Sequence, residues 1–69
     1  MAAKLSYDEA VEVYALAVLH ETNRQPWNFW SLLKPEHKLV ALDEVLRVLL
    51  IAEEYEKASD IQELIETLK

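Results

Sequence analysis

The chain has 69 residues, of which 52% are hydrophobic and 29% charged, with no glycine, no cysteine and a net charge of −6. A chain this short buries only about 60% of the surface its unfolded form exposes, so it holds one core, and a single domain spanning residues 1–69 is expected. Without cysteine there are no disulfides and no thiolate zinc site, and without clustered Lys and Arg there is no surface suited to phosphate, so direct nucleic-acid binding is not expected.

The charge is uneven: residues 41–69 hold eight acids and three bases, residues 1–40 five and four. The longest run free of Asp, Glu, Lys and Arg is nine residues, Gln25 to Leu33, far short of the ~20 that span a bilayer. The opening MAAKLSYDEA carries acids where an export signal would carry its apolar core, so a cytoplasmic location is expected. Cores below roughly 70–80 residues supply only a few kcal/mol of net stability and usually lean on disulfides, a metal or a second subunit. Only the last is left to this chain, and a homodimer is expected.

Residues 1–5 are expected to fray. Ser6 and Glu9 have the S-x-x-E spacing of a capping box, which opens a first helix at Ser6. Tyr7, Val11, Tyr14 and Val18 mark its apolar face, and Ala10, Ala15 and Ala17 are small positions where another helix can approach closely. It should end near Thr22 or Asn23, because Asn tolerates the left-handed cap conformation and Pro26 follows. TNRQP is then a loop. Pro26 to Leu33, PWNFWSLL, suits a short aromatic helix with proline at its first position. Lys34 is pushed to extended geometry by Pro35, which starts the next helix with Glu36 well placed against the positive end of its dipole.

The stretch Leu39 to Ala52, LVALDEVLRVLLIA, is apolar at eleven of fourteen positions. Its exceptions, Asp43, Glu44 and Arg47, gather on one ribbon where they can pair. A helix apolar nearly all round demands burial on several sides, and Leu42, Leu46 and Leu49 are its expected core. That helix cannot run straight to the C-terminus, since the centre of Leu39, Leu42, Leu46 and Leu49 lies roughly a quarter turn from that of Ala58, Ile61, Ile65 and Leu68. A break near Glu53 to Tyr55 restores both faces; a continuous, bent helix is the alternative, as no Gly or Pro marks the spot. The last helix, from about Glu56 to Leu68, places Ile61, Leu64, Ile65 and Leu68 inside and Asp60, Glu63 and Glu66 outside. The expected fold is therefore all-α: a small bundle of three main helices plus a short aromatic helix, closing in a C-terminal helical hairpin.

The run YEKASDIQELIETL, Tyr55 to Leu68, resembles the second half of the UVR motif, a short antiparallel helical hairpin with the approximate pattern F-E-x-A-A-x-L-R-x-x-I-x-x-L. Tyr55, Glu56, Ala58, Ser59, Ile61, Ile65 and Leu68 occupy matching places, while Gln62 stands where the family usually has Arg. The resemblance implies that the chain reverses just before Tyr55, that the flanking helices pair, and that the segment binds a partner protein without catalysis.

Three large aromatics in four residues, Trp27, Phe29 and Trp30, form the sharpest feature, suited to an interface hot spot or, for at least one Trp, to capping the core. His20 and His37 each adjoin a glutamate, but they are seventeen residues apart, not one helical turn as a zinc-binding pair on a helix needs. They read as solvated residues at helix ends. With no Cys, no glycine-rich turn, and only Ser6, Ser31, Ser59, Thr22 and Thr67 as hydroxyls, no catalytic residue, metal site or cofactor is expected. Glu53, Glu54 and Glu56, with Asp60 and Glu63, form an acidic cluster able to steer a basic partner or to remain a solvated face. Val40, Val48 and Ile51 are left over once the central helix is covered, and are the expected pairing surface. Together these features point to a protein-binding regulator or adaptor. The alternative is an acidic inhibitor or nucleic-acid mimic, of the kind phages encode, occupying a basic site on a host protein.

Overall fold

A computed structural model describes residues 5–69. Four helical segments follow one another: α1 over Tyr7–Glu21, a single 3-10 turn over Phe29–Leu32, α2 over Pro35–Ile51 and α3 over Tyr55–Leu68, with no strand among the described residues. The fraying expected of residues 1–4 lies outside the described residues. Leu5, grouped with them, instead packs against the core.

The start signals act as their chemistry requires. The Ser6 backbone N–H donates to Glu9 Oε1 at 2.9 Å and the Glu9 N–H donates to Ser6 Oγ at 3.2 Å, so each residue satisfies the other's orphan donor. The Ser6 backbone N–H, and after it the Ser6 hydroxyl, hold the Glu9 carboxyl below its ordinary range. Lys34 is extended at φ −70, ψ 152, and Pro35 stands at the first turn of α2, where its missing N–H does no harm.

Both long helices that precede a turn end in the same device. Asn23 and Glu53 adopt positive φ, 62° and 61°. At the end of α1 the Asn23 N–H donates to the His20 carbonyl and the Arg24 N–H to that of Leu19; at the end of α2 the Glu53 N–H donates to the Leu50 carbonyl at 3.1 Å and the Glu54 N–H to that of Leu49 at 2.8 Å. These paired bonds form a Schellman motif, which glycine normally serves. A glycine-free chain uses Asn once, where a short polar side chain tolerates the conformation, and Glu once, where nothing relieves a cost of roughly 1–2 kcal/mol. The helix therefore breaks between Ile51 and Tyr55, and the continuous alternative is not adopted.

The three-residue link folds α3 back along α2 as an antiparallel hairpin. The Tyr14 hydroxyl donates to Asp60 at 2.7 Å, and Val18 and Thr22 share a groove with Leu64 and Thr67. α1 thus runs parallel to α3, and both run against α2. Leu42, Val45, Val48 and Leu49 of α2, Ala10 and Ala17 of α1, Ala58 and Ile61 of α3, and Trp30 make up the core.

Four expectations are corrected. The buried line of α1 is Ala10 and Ala17, seven residues apart, with Val13 and Leu16 flanking; Tyr7 is exposed, Val11, Tyr14 and Val18 are half-buried, and Ala15 faces outward. Close approach of backbones at alanine, rather than the bulkier face, decides how this helix seats. Leu46 is half-buried where Leu42 and Leu49 are fully buried. Val48 is 8% exposed and belongs to the core, whereas Val40 and Ile51 are 66% and 74% exposed. At about 100° per residue Val40 and Ile51 lie within ~20° of each other, while Val48 is turned ~60° from Ile51 toward the packed side. Last, Pro26 to Asn28 are not helical, and only Phe29–Leu32 form a 3-10 turn.

Candidate protein-interaction surfaces

The aromatic knuckle owes its shape to Asn28. Its backbone is extended (φ −146, ψ −178), and its Oδ1 accepts the Trp30 N–H at 2.9 Å, which caps the 3-10 turn and stops a helix from starting at Pro26. Its Nδ2 donates to the Leu16 carbonyl of α1 at 3.1 Å, and the Ser31 hydroxyl donates to the Asn28 carbonyl at 2.7 Å. The turn is thereby pinned to α1 by side chains that have no apolar role.

In a 3-10 turn residues i and i+3 eclipse, so its two apolar pairs form separate rows about 120° apart. Trp30 and Leu33 turn inward: Trp30 is 1% exposed, its indole N–H reaches Glu21 Oε2 at 3.4 Å, and Lys38 Nζ stands 5.9 Å from its ring centroid. Phe29 and Leu32 turn outward and are exposed, as is Trp27, which stands 84% open to solvent. One tryptophan completes the core and the other does not. Beside Phe29 opens a cleft of about 260 Å³, walled by Val13, Leu16, Trp30, Leu33 and Ala41, with Leu5 and Glu44 at its lining.

A second apolar patch sits at the far end of α2, where Leu50, Ile51 and Tyr55 are exposed around the turn. The acidic residues predicted to cluster there divide by role. Glu54 accepts from Lys57 Nζ at 2.8 Å, and this carboxylate raises the Lys57 ammonium above its ordinary range. Asp60 accepts the Tyr14 hydroxyl. Burial first, and then this bond and the charge of Asp60, raise the Tyr14 phenol above its ordinary value of 10.0. Glu53, Glu56 and Glu63 remain exposed. Val40 lies apart from both patches, beside a shallow groove with Leu39 and Ile65. In the polar ribbon of α2 Arg47 pairs with Asp43 as expected, at 3.5 Å, an exposed contact of little energetic weight.

His37 is exposed, but His20 is half-buried with its Nδ1 shielded and without a hydrogen-bond partner, which corrects its reading as a solvated residue. Among the described residues no group of three or more His, Asp or Glu side chains is arranged to hold a metal ion, and no helix is long and apolar enough to cross a membrane. The hydroxyls of Thr22, Ser31 and Thr67 donate to backbone carbonyls, and Ser6 serves its cap. Sequence reasoning singled out Trp27, Phe29 and Ile51 but missed Leu32, Leu50 and Tyr55 as exposed apolar neighbours. The three-residue period of a 3-10 turn would have paired Leu32 with Phe29. No protein-family model, curated protein or solved structure matches the chain, so these surfaces are read from their own chemistry.

Proposed function

We propose that the chain is a protein-binding module, a regulator or adaptor without catalytic activity, that docks its partner on the aromatic knuckle. The observation that carries this reading is the outward set of Trp27, Phe29 and Leu32 on a turn held rigid by Asn28, next to an apolar cleft. Single exposed apolar side chains are ordinary, but three within six residues, with Phe29 at the edge of an apolar cleft, are a concentration of the kind that marks interaction sites. Aromatic anchors dominate interface energetics, and a turn already fixed in shape loses less conformational freedom on binding. The resemblance of Tyr55 to Leu68 to the UVR motif supports the same class of function. An acidic inhibitor draws less support, because Glu54 and Asp60 are already engaged within the chain.

The test is capture from cell extract on immobilised protein, comparing the wild type with a Trp27→Ala, Phe29→Ala double variant. Both side chains are exposed, so the variant is expected to fold, which circular dichroism checks. A protein retained by the wild type and lost with the variant supports the reading. Retention of a basic nucleic-acid-binding protein that survives this variant but is lost with a Glu53→Gln, Glu56→Gln variant would replace it with the inhibitor reading.

A further inference from the structure

Only residues 52–54 separate α2 from α3, and one of them is strained: Glu53, at φ 61, holds a left-handed conformation that no glycine relieves. Ala52 is already in right-handed helical geometry, so turning Glu53 and Glu54 into it would join the two helices into one over residues 35–68. The residues favour that state. Ala and Glu are among the strongest helix formers, the chain has no glycine, and its last proline is Pro35. In the joined helix Glu53 would precede Lys57 by four positions, the favourable order for an ion pair. The joined helix also carries a seam. Leu39 and Asp43 share a groove with Ile65 and Lys69, so the row of α2 that runs on from Asp43 to Leu46 and Leu50 lies beside α3. Continued without a turn, Leu46, Leu50, Glu53, Lys57, Ile61 and Leu64 follow at steps of four or three, the spacing of a coiled-coil stripe. Its polar members are one acid and one base, and Leu50, 47% exposed in the single chain, joins it.

We infer that the chain exchanges α3 with a second copy of itself through this straightened turn, forming a twofold dimer. α3 meets no new surface in the exchange: Ala58 and Ile61, buried in the single chain, return to the same places on α1 and α2 of the partner. Identity selects the occupant, since the surface that fits α3 is the one this same chain provides. Swapping an element between identical copies is a low-cost route to a dimer, and a short link under strain invites it. Release of Glu53 favours the dimer by a factor of about 5–30 per chain. Against it, Glu53, Glu54 and Glu56 meet their counterparts near the twofold axis with Lys57 as the cation among them, and the hairpin has the advantage of lying within one chain. The exchange recovers the homodimer expected from the sequence, though not through Val40, Val48 and Ile51. Its two copies of α2 start at opposite ends of a rod, about 50 Å apart. Where the knuckle docks a protein, as proposed above, the dimer docks two; that consequence rests on the knuckle, and the exchange does not.

The test is refolding from urea at micromolar and at millimolar protein, in salt of about 0.5 M where the screening length falls below ~5 Å, followed by sedimentation velocity. Single chains are expected from the dilute sample; the concentrated one should add a two-chain species and nothing larger. A Thr22→Cys, Thr67→Cys variant tells exchange from simple association. Both positions are exposed and line one groove between α1 and α3, so a short bismaleimide joins them within a chain in the single species and between chains in the exchanged dimer. The isolated two-chain species should therefore run as two joined chains on a denaturing gel. Glu53→Gly suits the turn and weakens the joined helix, so relative to Glu53→Gln, which removes the same charge, it should raise the dissociation constant of the dimer at least about tenfold. Circular dichroism checks the fold of each variant. A protein that stays single at every concentration, a two-chain species cross-linked only within chains, or a Glu53→Gly variant that dimerises as readily as Glu53→Gln overturns the exchange. None of these results bears on the Trp27 and Phe29 variants, which test the knuckle separately.

Discussion

Replacing Glu53 by glycine should stabilise this protein, an unusual expectation for a substitution that adds backbone freedom. Glu53 stands at φ 61 in the Schellman turn that ends α2. A side chain with a Cβ bears roughly 1–2 kcal/mol in that conformation, which glycine does not. Against this, glycine enlarges the freedom of the unfolded chain by about 0.4–1 kcal/mol. The balance is a gain of about 0.5–1 kcal/mol, or about 2–8 °C in midpoint for a domain of this size. Glu53→Gln is the control, removing the same charge without touching the backbone preference. Thermal and urea unfolding followed by circular dichroism give the comparison. If α2 ran unbroken into α3, glycine at this position would be interior to a helix and would cost about 0.5–1 kcal/mol. The sign alone therefore decides: a Glu53→Gly variant less stable than the Glu53→Gln control would refute the turn.

Leu49→Ala should cost about 2–5 kcal/mol and Leu46→Ala at least about 1 kcal/mol less, since only the former side chain is fully buried; equal losses in urea unfolding would contradict the packing of α2. Ser6→Ala removes one side of the capping box and should lower stability by about 0.5–2 kcal/mol, with the N–H of Glu9 exchanging faster with deuterium. Tyr14 has a raised phenol, so its bond to Asp60 contributes fully below the ordinary value of 10.0 and is lost as pH rises through the higher folded value. The stability advantage of the wild type over Tyr14→Phe should therefore shrink across that alkaline range and be flat at neutral pH; an advantage unchanged into strong alkali would show that the hydroxyl makes no such bond.

The features legible in the sequence are those whose chemistry is local. Ser6 with Glu9, Pro35, and Asn23 each act on backbone groups within a turn of themselves, and each stands where its residue type requires. The break before Tyr55 left no glycine or proline signal, because a glutamate occupies the position glycine would mark; the rotation between the apolar faces of α2 and α3 exposed it. Faces set by tertiary packing were harder to read. Val48 and Ile51 are both apolar and three residues apart, and which of them is covered depends on the angle at which α1 and α3 lie across α2. Likewise the alanines of α1 matter for what they lack: small size marked Ala10, Ala15 and Ala17 alike as places for close approach, but only packing decides that Ala10 and Ala17 are covered while Ala15 and the bulkier Tyr7 face outward. At the knuckle the aromatic residues drew attention, but the residue that shapes it is Asn28, whose amide reaches back twelve positions to Leu16, a contact no local pattern reveals.

The opposed fates of the two tryptophans give the molecule a pair of built-in optical reporters. Trp30, shut off from water, should emit toward the blue of Trp27 and resist acrylamide, while Trp27, in water, should emit toward the red and be quenched freely. Unfolding shifts the first and leaves the second nearly unchanged; occupation of the knuckle does the reverse. A Trp27→Phe variant and a Trp30→Phe variant, each with one indole left, would thus let loss of structure and engagement of a partner be followed separately, in the same cuvette and without an added label.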